Sequence, residues 1–328
     1  MGLGRRHTML AALGSALLLA GPLSGEAQRP TATPHVGFLG MDSQMQAEWL
    51  AAFRDELRQR GYVDGRSVVI DYRWAEGRFD RLPALASELV ALRVNVIVTA
   101  APPAVRAAQQ ATTTIPIVMT AHDPVGMGFV ESLAHPGGNI TGLAFQDDEL
   151  SLKRLDLLRQ MVPGLARVAV VWNREGGGTS AVRAVEAAAR ALGLQVLVLE
   201  VREPHDFATV IAAAKSWRAQ GLAQLASPFI TKNRAILLEL LASNRLPSTC
   251  EMRRYVVEGC LMTYSANLAG MFRRMAYYVD RILQGTQLAD LPVEQPREFE
   301  LVINLKTARE LGLSVPQILL LQANETVQ

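Results

Sequence analysis

The chain is poor in the features that mark a specialised class of protein. Only two cysteines, Cys250 and Cys260, stand in 328 residues. That is no disulfide framework, and the absence of a CxxC spacing argues against metal or redox use. In an oxidising compartment such a pair can bridge, and the sequence leaves that state open. An excess of one charge is also missing. The 33 Lys+Arg against 31 Asp+Glu give a net charge of +2. Phosphate binding needs a concentrated basic field, so no nucleic-acid partner is expected. The five histidines, His7, His35, His122, His135 and His205, are scattered, with no HExxH and no zinc spacing. There is neither a GxSxG elbow nor a GK[ST] loop. The glycine-rich stretch from Asn173 to Ser180 lacks both the lysine and the spacing of a phosphate cradle. The acidic run Asp147–Glu149 reads as the start of a helix, whose N-terminus favours negative charge. No enzyme, no metal and no cofactor is expected.

Long hydrophobic runs are absent as well. No apolar stretch reaches the roughly 20 residues that cross a bilayer. The longest runs from Met9 to Ala20, behind the basic residues Arg5, Arg6 and His7 and ahead of small residues at Gly25 and Ala27. That order is the signature of an export signal cleaved near Ala27, residues 1–27. No cysteine follows it to carry a lipid, and Arg5-Arg6 leaves Sec and twin-arginine export both open. A periplasmic location is the expectation.

The remainder has the makings of a soluble globular chain, 49% hydrophobic and 20% charged. Its length is near the limit for one core, which favours two lobes. Short apolar runs alternate with helical patterns. HVGFLG (His35–Gly40) reads as a strand, and Met45–Gly61 as a helix with Trp49, Phe53 and Leu57 on one stripe. Further strands are expected at Ser67–Trp74, Val94–Ala100 and Ile115–Thr120, and a helical turn at Val125–Leu133. After the helix Leu150–Val162 the alternation starts afresh with RVAVVWN (Arg167–Asn173). It continues through strands at Leu194–Val201, Leu222–Ser227, Leu246–Thr249 and Gly259–Ser265. The strands are near-continuous apolar runs, the pattern of parallel sheets covered on both faces. The fold class expected is therefore α/β, with two doubly wound parallel-sheet lobes. Helix Asn267–Leu283 and strand Glu298–Asn304 suggest that the chain crosses between lobes more than once. The expected division is 31–145 plus about 266–290 for lobe I, and 146–265 plus about 291–328 for lobe II.

Open α/β sheets bind ligands at the carboxyl ends of their strands. The residues there are Asp42 and Ser43, Ala101–Pro103, His122 and Asp123 in the first lobe. In the second they are Asn173, Ser227–Phe229, Glu251 and Tyr264. Together they outline a cleft. Asp123 or Glu251 could pair with an ammonium group, and Phe229, Tyr264 or Trp74 could stack on a ring or cation.

The sequence resembles the ABC-transporter substrate-binding protein family that includes tryptophan-binding members. The resemblance rests on Ala52–Val90 (AFRDELRQRGYVDG…ASELV), Gln110–Val118, Asp123–Leu143 (DPVGMGFVESLAHPGGNITGL), Arg167–Asn173 and Leu291–Leu313 (LPVEQPREFELVINLKTARELGL). It implies a type I periplasmic-binding fold, with two lobes joined by a three-segment hinge. It also implies partners: a small-molecule ligand, an ABC permease and, through that, an ATPase. Characterised members bind aromatic amino acids. The family pattern points to Ser43, Ala101, Pro102, His122, Asp123, Asn173, Ser227, Phe229, Glu251 and Tyr264 as ligand-binding positions. A monomer is expected. In one respect the chain departs from the family: many relatives carry Gly-Thr-Pro or Gly-Ser-Pro where Ala101, Pro102 and Pro103 stand. Proline at 102 removes a hydroxyl and an N–H donor, which weakens any carboxylate held there.

Three other readings are weaker. A DNA-binding regulator with this fold needs an N-terminal helix-turn-helix, where this chain has an export signal. A hydrolase needs a nucleophile and base. A periplasmic sensor docking on a membrane receptor would carry the same sequence as a transport component.

Overall fold

A computed structural model describes residues 33–145, 147–174 and 178–328. The export signal expected at 1–27 lies outside the described residues, as do Glu175–Gly177 of the glycine-rich stretch and the side chains of Asp147 and Asp148.

The first lobe is built from β1 (His35–Gly40), α1 (Ala47–Gln59), β2 (Val69–Trp74), α2 (Leu82–Ala91), β3 (Val96–Ala100), α3 (Pro102–Ala111), β4 (Ile117–Ala121) and β5 (Ile140–Ala144). Its five strands are parallel and lie in the order β2-β1-β3-β4-β5. Alternate residues of each strand feed opposite faces. Val36 and Phe38 pack with Phe53 and Leu57 of α1, while Leu39 packs with Leu82, Leu85 and Leu89 of α2. Both faces are therefore apolar, which is why these strands read as unbroken hydrophobic runs.

The second lobe repeats the construction. It contains α4 (Asp147–Met161), β6 (Arg167–Trp172), α5 (Gly178–Ala191), β7 (Gln195–Glu200), α6 (Asp206–Ser216), β8 (Gly221–Gln224), α7 (Pro228–Lys232), α8 (Arg234–Ser243), β9 (Ser248–Cys250), α9 (Arg253–Val257) and β10 (Met262–Ala266). The chain then returns to the first lobe as α10 (Leu268–Leu283), whose Met271, Phe272, Met275 and Val279 share a core with Phe38 and Phe53. It enters the second lobe again as β11 (Phe299–Asn304), α11 (Leu305–Leu311), α12 (Gln317–Gln322) and β12 (Glu325–Val327). The second sheet runs β12-β11-β10-β9-β8-β6-β7.

The chain thus passes between lobes near residue 146, at Asn267, and between Glu294 and Phe299. The first sheet keeps it beyond the expected turn near 290: Glu294 bridges Leu143, and Thr141 Oγ1 donates to Leu291 O at 2.6 Å. Asn267 caps α10 at its crossing, its Oδ1 accepting the Gly270 N–H at 2.8 Å.

The second sheet is not wholly parallel. β11 pairs antiparallel with β10, Ala266 opposite Phe299 and Met262 opposite Ile303. The intervening helix belongs to the other lobe, so the chain re-enters at the end of the sheet it left and must run backwards. β5 was not expected as a strand, because Gly142 interrupts its apolar pattern. Gly142 holds φ +136°, and a Cβ there would stand 2.1 Å from Met119 O of β4. Only glycine permits that approach.

Cys250 and Cys260 are joined in a disulfide that closes the segment carrying Glu251, Met252 and α9. Among the described residues, no helix is long and apolar enough to cross a membrane.

Candidate functional site

The carboxyl ends of the two sheets face one another across a cavity of about 120 Å³. From the first lobe come Met41 after β1, Met45, Gln46 and Trp49 at the start of α1, the Ala101–Pro102 turn after β3, His122 after β4 and Phe145 after β5. The second lobe brings Ala226–Pro228, Thr231, Glu251 and Met252. Leu268 and Phe272 on the first turns of α10 complete the wall. Most of these side chains are apolar. The Trp49 and Phe272 rings lie 5.7 Å apart, and His122 stacks on Phe145 at 4.3 Å. The lobes touch beside the cavity, where Lys232 Nζ donates to Gly77 O at 2.8 Å.

Among the described residues few polar groups reach the cavity, and their partners decide what each can offer. Gln46 is buried and its Oε1 accepts the Met41 N–H at 2.8 Å, which leaves its Nε2 donor for a ligand. On the opposite side Glu251 is 8% exposed. Its Oε1 lies 2.6 Å from Thr231 Oγ1, and its own N–H is held by Gln224 Oε1 at 2.9 Å. Burial pushes the Glu251 carboxyl above the usual carboxylate range, against the opposing pull of Thr231, His122 and Arg154. Arg154 braces the backbone behind it, donating from Nε to Tyr264 O at 2.7 Å and from Nη2 to Glu251 O at 3.3 Å.

The turn at 101–103 offers no N–H to an anion. Pro102 and Pro103 have none, and the next two, of Ala104 and Val105, both bond Ala101 O at 3.1 Å. Ala101 itself sits at φ +74°, ψ 142°, a conformation that favours glycine.

Of the positions expected from the sequence, Ala101, Pro102, His122, Ser227 and Glu251 line the cavity. Ser227 is spent locally: its Oγ donates to Asn173 Oδ1 at 3.2 Å and caps α7 by accepting the Ile230 N–H at 3.3 Å. The other five lie outside the wall, each held by neighbours. Ser43 occupies the turn before α1, with its N–H 3.5 Å from Glu76 Oε2. Asp123, at φ +39°, closes its own turn by accepting the Gly126 N–H at 3.0 Å. Asn173 is buried and donates to Val201 O at 2.8 Å, tying together the ends of β6 and β7. Phe229 stacks on Phe207 and Tyr264 on Phe299, with centroids 6.2 and 5.7 Å apart. Trp74, also considered for stacking, packs on Phe38 at 5.3 Å.

Sequence reasoning missed Met41, Met45, Gln46, Trp49, Thr231, Met252 and Phe272. Trp49 was visible, but only as one member of a helix stripe. The signal that could have singled it out is its place in the first turn of the helix after β1, where the helix opens onto the sheet's carboxyl edge.

Comparison with known proteins covers most of the chain. The model of the family described as "ABC transporter substrate binding protein" matches residues 41–327. A tyrosine-binding protein of Clostridioides difficile (strain R20291) is 26% identical over 264 residues, 80% of this chain and 75% of that protein. Among solved structures, an ABC domain from Streptococcus pneumoniae in complex with L-Trp superposes with a TM-score of 0.84 at 23% identity. The match covers 90% of this chain and all of that one. A conserved domain protein from Vibrio cholerae O1 biovar El Tor gives the same score and coverage at 25% identity.

Proposed function

Because the chain belongs to the family of ABC transporter substrate binding proteins, we propose that it captures an aromatic amino acid between its lobes in the periplasm. It then presents that ligand to an ABC permease and, through it, to an ATPase. The observation that carries this reading is the interlobe cavity itself, apolar on the side of Trp49, Phe272 and Met45, with the buried carboxyl of Glu251 facing it from the other lobe. An aromatic side chain suits the first wall, and an ammonium group suits Glu251. Tyrosine and L-tryptophan, the ligands in the names of two relatives, carry both.

Capture proceeds by closure. A ligand resting on the first lobe gains the Thr231, Glu251 and Met252 wall only when the second lobe swings in. That differential contact shifts the population toward the closed form. A micromolar ligand supplies about 8 kcal/mol, ample against an open state favoured by a few kcal/mol.

Thermal denaturation with amino acids tests the ligand class. A ligand at 100 times its dissociation constant should add about 2.7 kcal/mol of stability. L-Tyrosine or L-tryptophan should raise the midpoint, with the effect weakened at least about tenfold in affinity by Trp49→Ala. A shift from another solute class, with none from any aromatic amino acid, would reject the reading.

A further inference from the structure

The Gln46 side chain has one end fixed and one end free. It stands at the N-cap of α1, 3% exposed, and its backbone carbonyl accepts the Leu50 N–H at 2.8 Å, which places it in the first helical turn. The amide atom 2.8 Å from Met41 N has to be the oxygen, because a backbone N–H only donates. That contact fixes which way round the amide lies and turns Nε2, with its two hydrogens, away from Met41. Nε2 has no partner among the described residues. The fully enclosed side-chain atoms without a partner there are Thr249 Oγ1 and Ser265 Oγ. Nε2 is not one of them, so it keeps an opening, and the space that Gln46 lines is the interlobe cavity.

Its place in the cavity narrows what it can meet. Trp49 lies three residues on, a neighbour on the same helix face, and the Phe272 ring is 5.7 Å from the Trp49 ring. Gln46 therefore belongs to the aromatic wall, and Glu251 to the opposite lobe. An α-amino acid carries its ammonium and its carboxylate on one carbon. A ligand whose ammonium faces Glu251 thus keeps its carboxylate at that end and sends its ring toward Trp49 and Gln46. A buried amide donor left without an acceptor is costly, so the ring that suits this wall carries an oxygen.

We propose that Gln46 is a specificity-determining residue, whose Nε2 donates to an oxygen on the ligand's ring and so selects a hydroxylated ring such as that of tyrosine. Phenylalanine leaves the donor unanswered. Tryptophan sets an indole N–H, also a donor, against it. The inference rests on the interlobe cavity being the site of an aromatic amino acid.

Calorimetry of the full chain with L-tyrosine, L-phenylalanine and L-tryptophan tests it. The wild type should bind tyrosine at least about tenfold more tightly than phenylalanine, which differs from it by that oxygen alone, and more tightly than tryptophan. In Gln46→Leu the ratio of tyrosine to phenylalanine should fall to near one, tyrosine weakening while phenylalanine is held as tightly as before or better. Gln46→Glu keeps an acceptor for the Met41 N–H and exchanges the donor for a second acceptor. In that variant tryptophan, whose N–H now has a partner, should gain on phenylalanine. Phenylalanine bound by the wild type as tightly as tyrosine would overturn the proposal and leave the aromatic-ligand reading intact. Equal weakening of the two by Gln46→Leu would do the same, because it would mark a structural role or a contact with their shared carboxylate. If no aromatic amino acid binds, that reading falls and the proposal with it.

Discussion

Replacing Ala101 with glycine should stabilise the protein, because glycine is the better of the two at a helix N-cap and at positive φ. Ala101 caps α3 at φ +74°, ψ 142°. Its ψ is set by the following proline, which confines its neighbour to extended values. Its φ is set by three hydrogen bonds: its N–H to Thr120 O at 3.0 Å, and the Ala104 and Val105 N–H groups to its carbonyl at 3.1 Å. The chain cannot relax the strain without giving up β4 or the first turn of α3. A non-glycine residue so held costs about 1–3 kcal/mol. Glycine removes that cost but loses about 0.4–1 kcal/mol through the entropy of the unfolded chain. It also forfeits part of the roughly 0.8 kcal/mol of a buried methyl, since Ala101 is only partly buried. The net gain is about 1 kcal/mol, or about 2 °C in the midpoint of ligand-free thermal unfolding. Urea denaturation of Ala101→Gly and Ala101→Val beside the wild type provides the check. Glycine should raise the urea midpoint and valine, stiff at χ1 and crowded at positive φ, should lower it. A glycine variant less stable than the wild type would refute the strain argument.

Two further outcomes follow from the second lobe. Cys250 and Cys260 are ten apart in sequence, and loop closure of that length is worth about 2.7 kcal/mol. Cys250→Ala with Cys260→Ala should therefore lower the unfolding midpoint, and added reductant should affect the wild type alone; equal stability of the two proteins would count against the bridge. Glu251 bears on pH. Its carboxyl value is raised by burial from an ordinary 4.5, so the folded chain holds a proton that the unfolded chain has lost. Stability must then fall as pH rises from 4.5 toward the folded value, by up to about 1.4 kcal/mol per pH unit. Glu251→Gln has no such proton, and its advantage over the wild type should widen across that window. Parallel stability curves for the two proteins would sink this account.

Much of the architecture was legible along the chain. The strand at His35–Gly40 is the expected one to the residue, because an apolar run bounded by glycine leaves little freedom. The two successive βα series were visible for the same reason. The departures have local causes. Gly142 hid β5, since a glycine inside a strand breaks the apolar pattern while here serving a close approach to β4. α7 and α9 are five residues each, too short to display a helical period. The site was legible only in part. Of the residues that strand ends pointed to, Ala101, Pro102, His122, Ser227 and Glu251 line the cavity. The strand ends could not tell these from Asn173 or Asp123, equally polar and equally placed, whose side chains are used up on Val201 O and the Gly126 N–H.

What the sequence determined unaided was therefore the α/β alternation, the two series, and the edges of the sheets where a ligand could lie. These follow from hydrophobic periodicity and turn residues, which act between near neighbours in the chain. Only the tertiary structure decided that β11 runs backwards, that α10 lends Phe272 to the cavity, and that Ser227, Tyr255 and Glu251 meet at Thr231. Those outcomes depend on contacts between residues distant in sequence. Which side chain meets which is then a matter of packing and hydrogen-bond satisfaction in three dimensions, and a linear pattern carries no record of it.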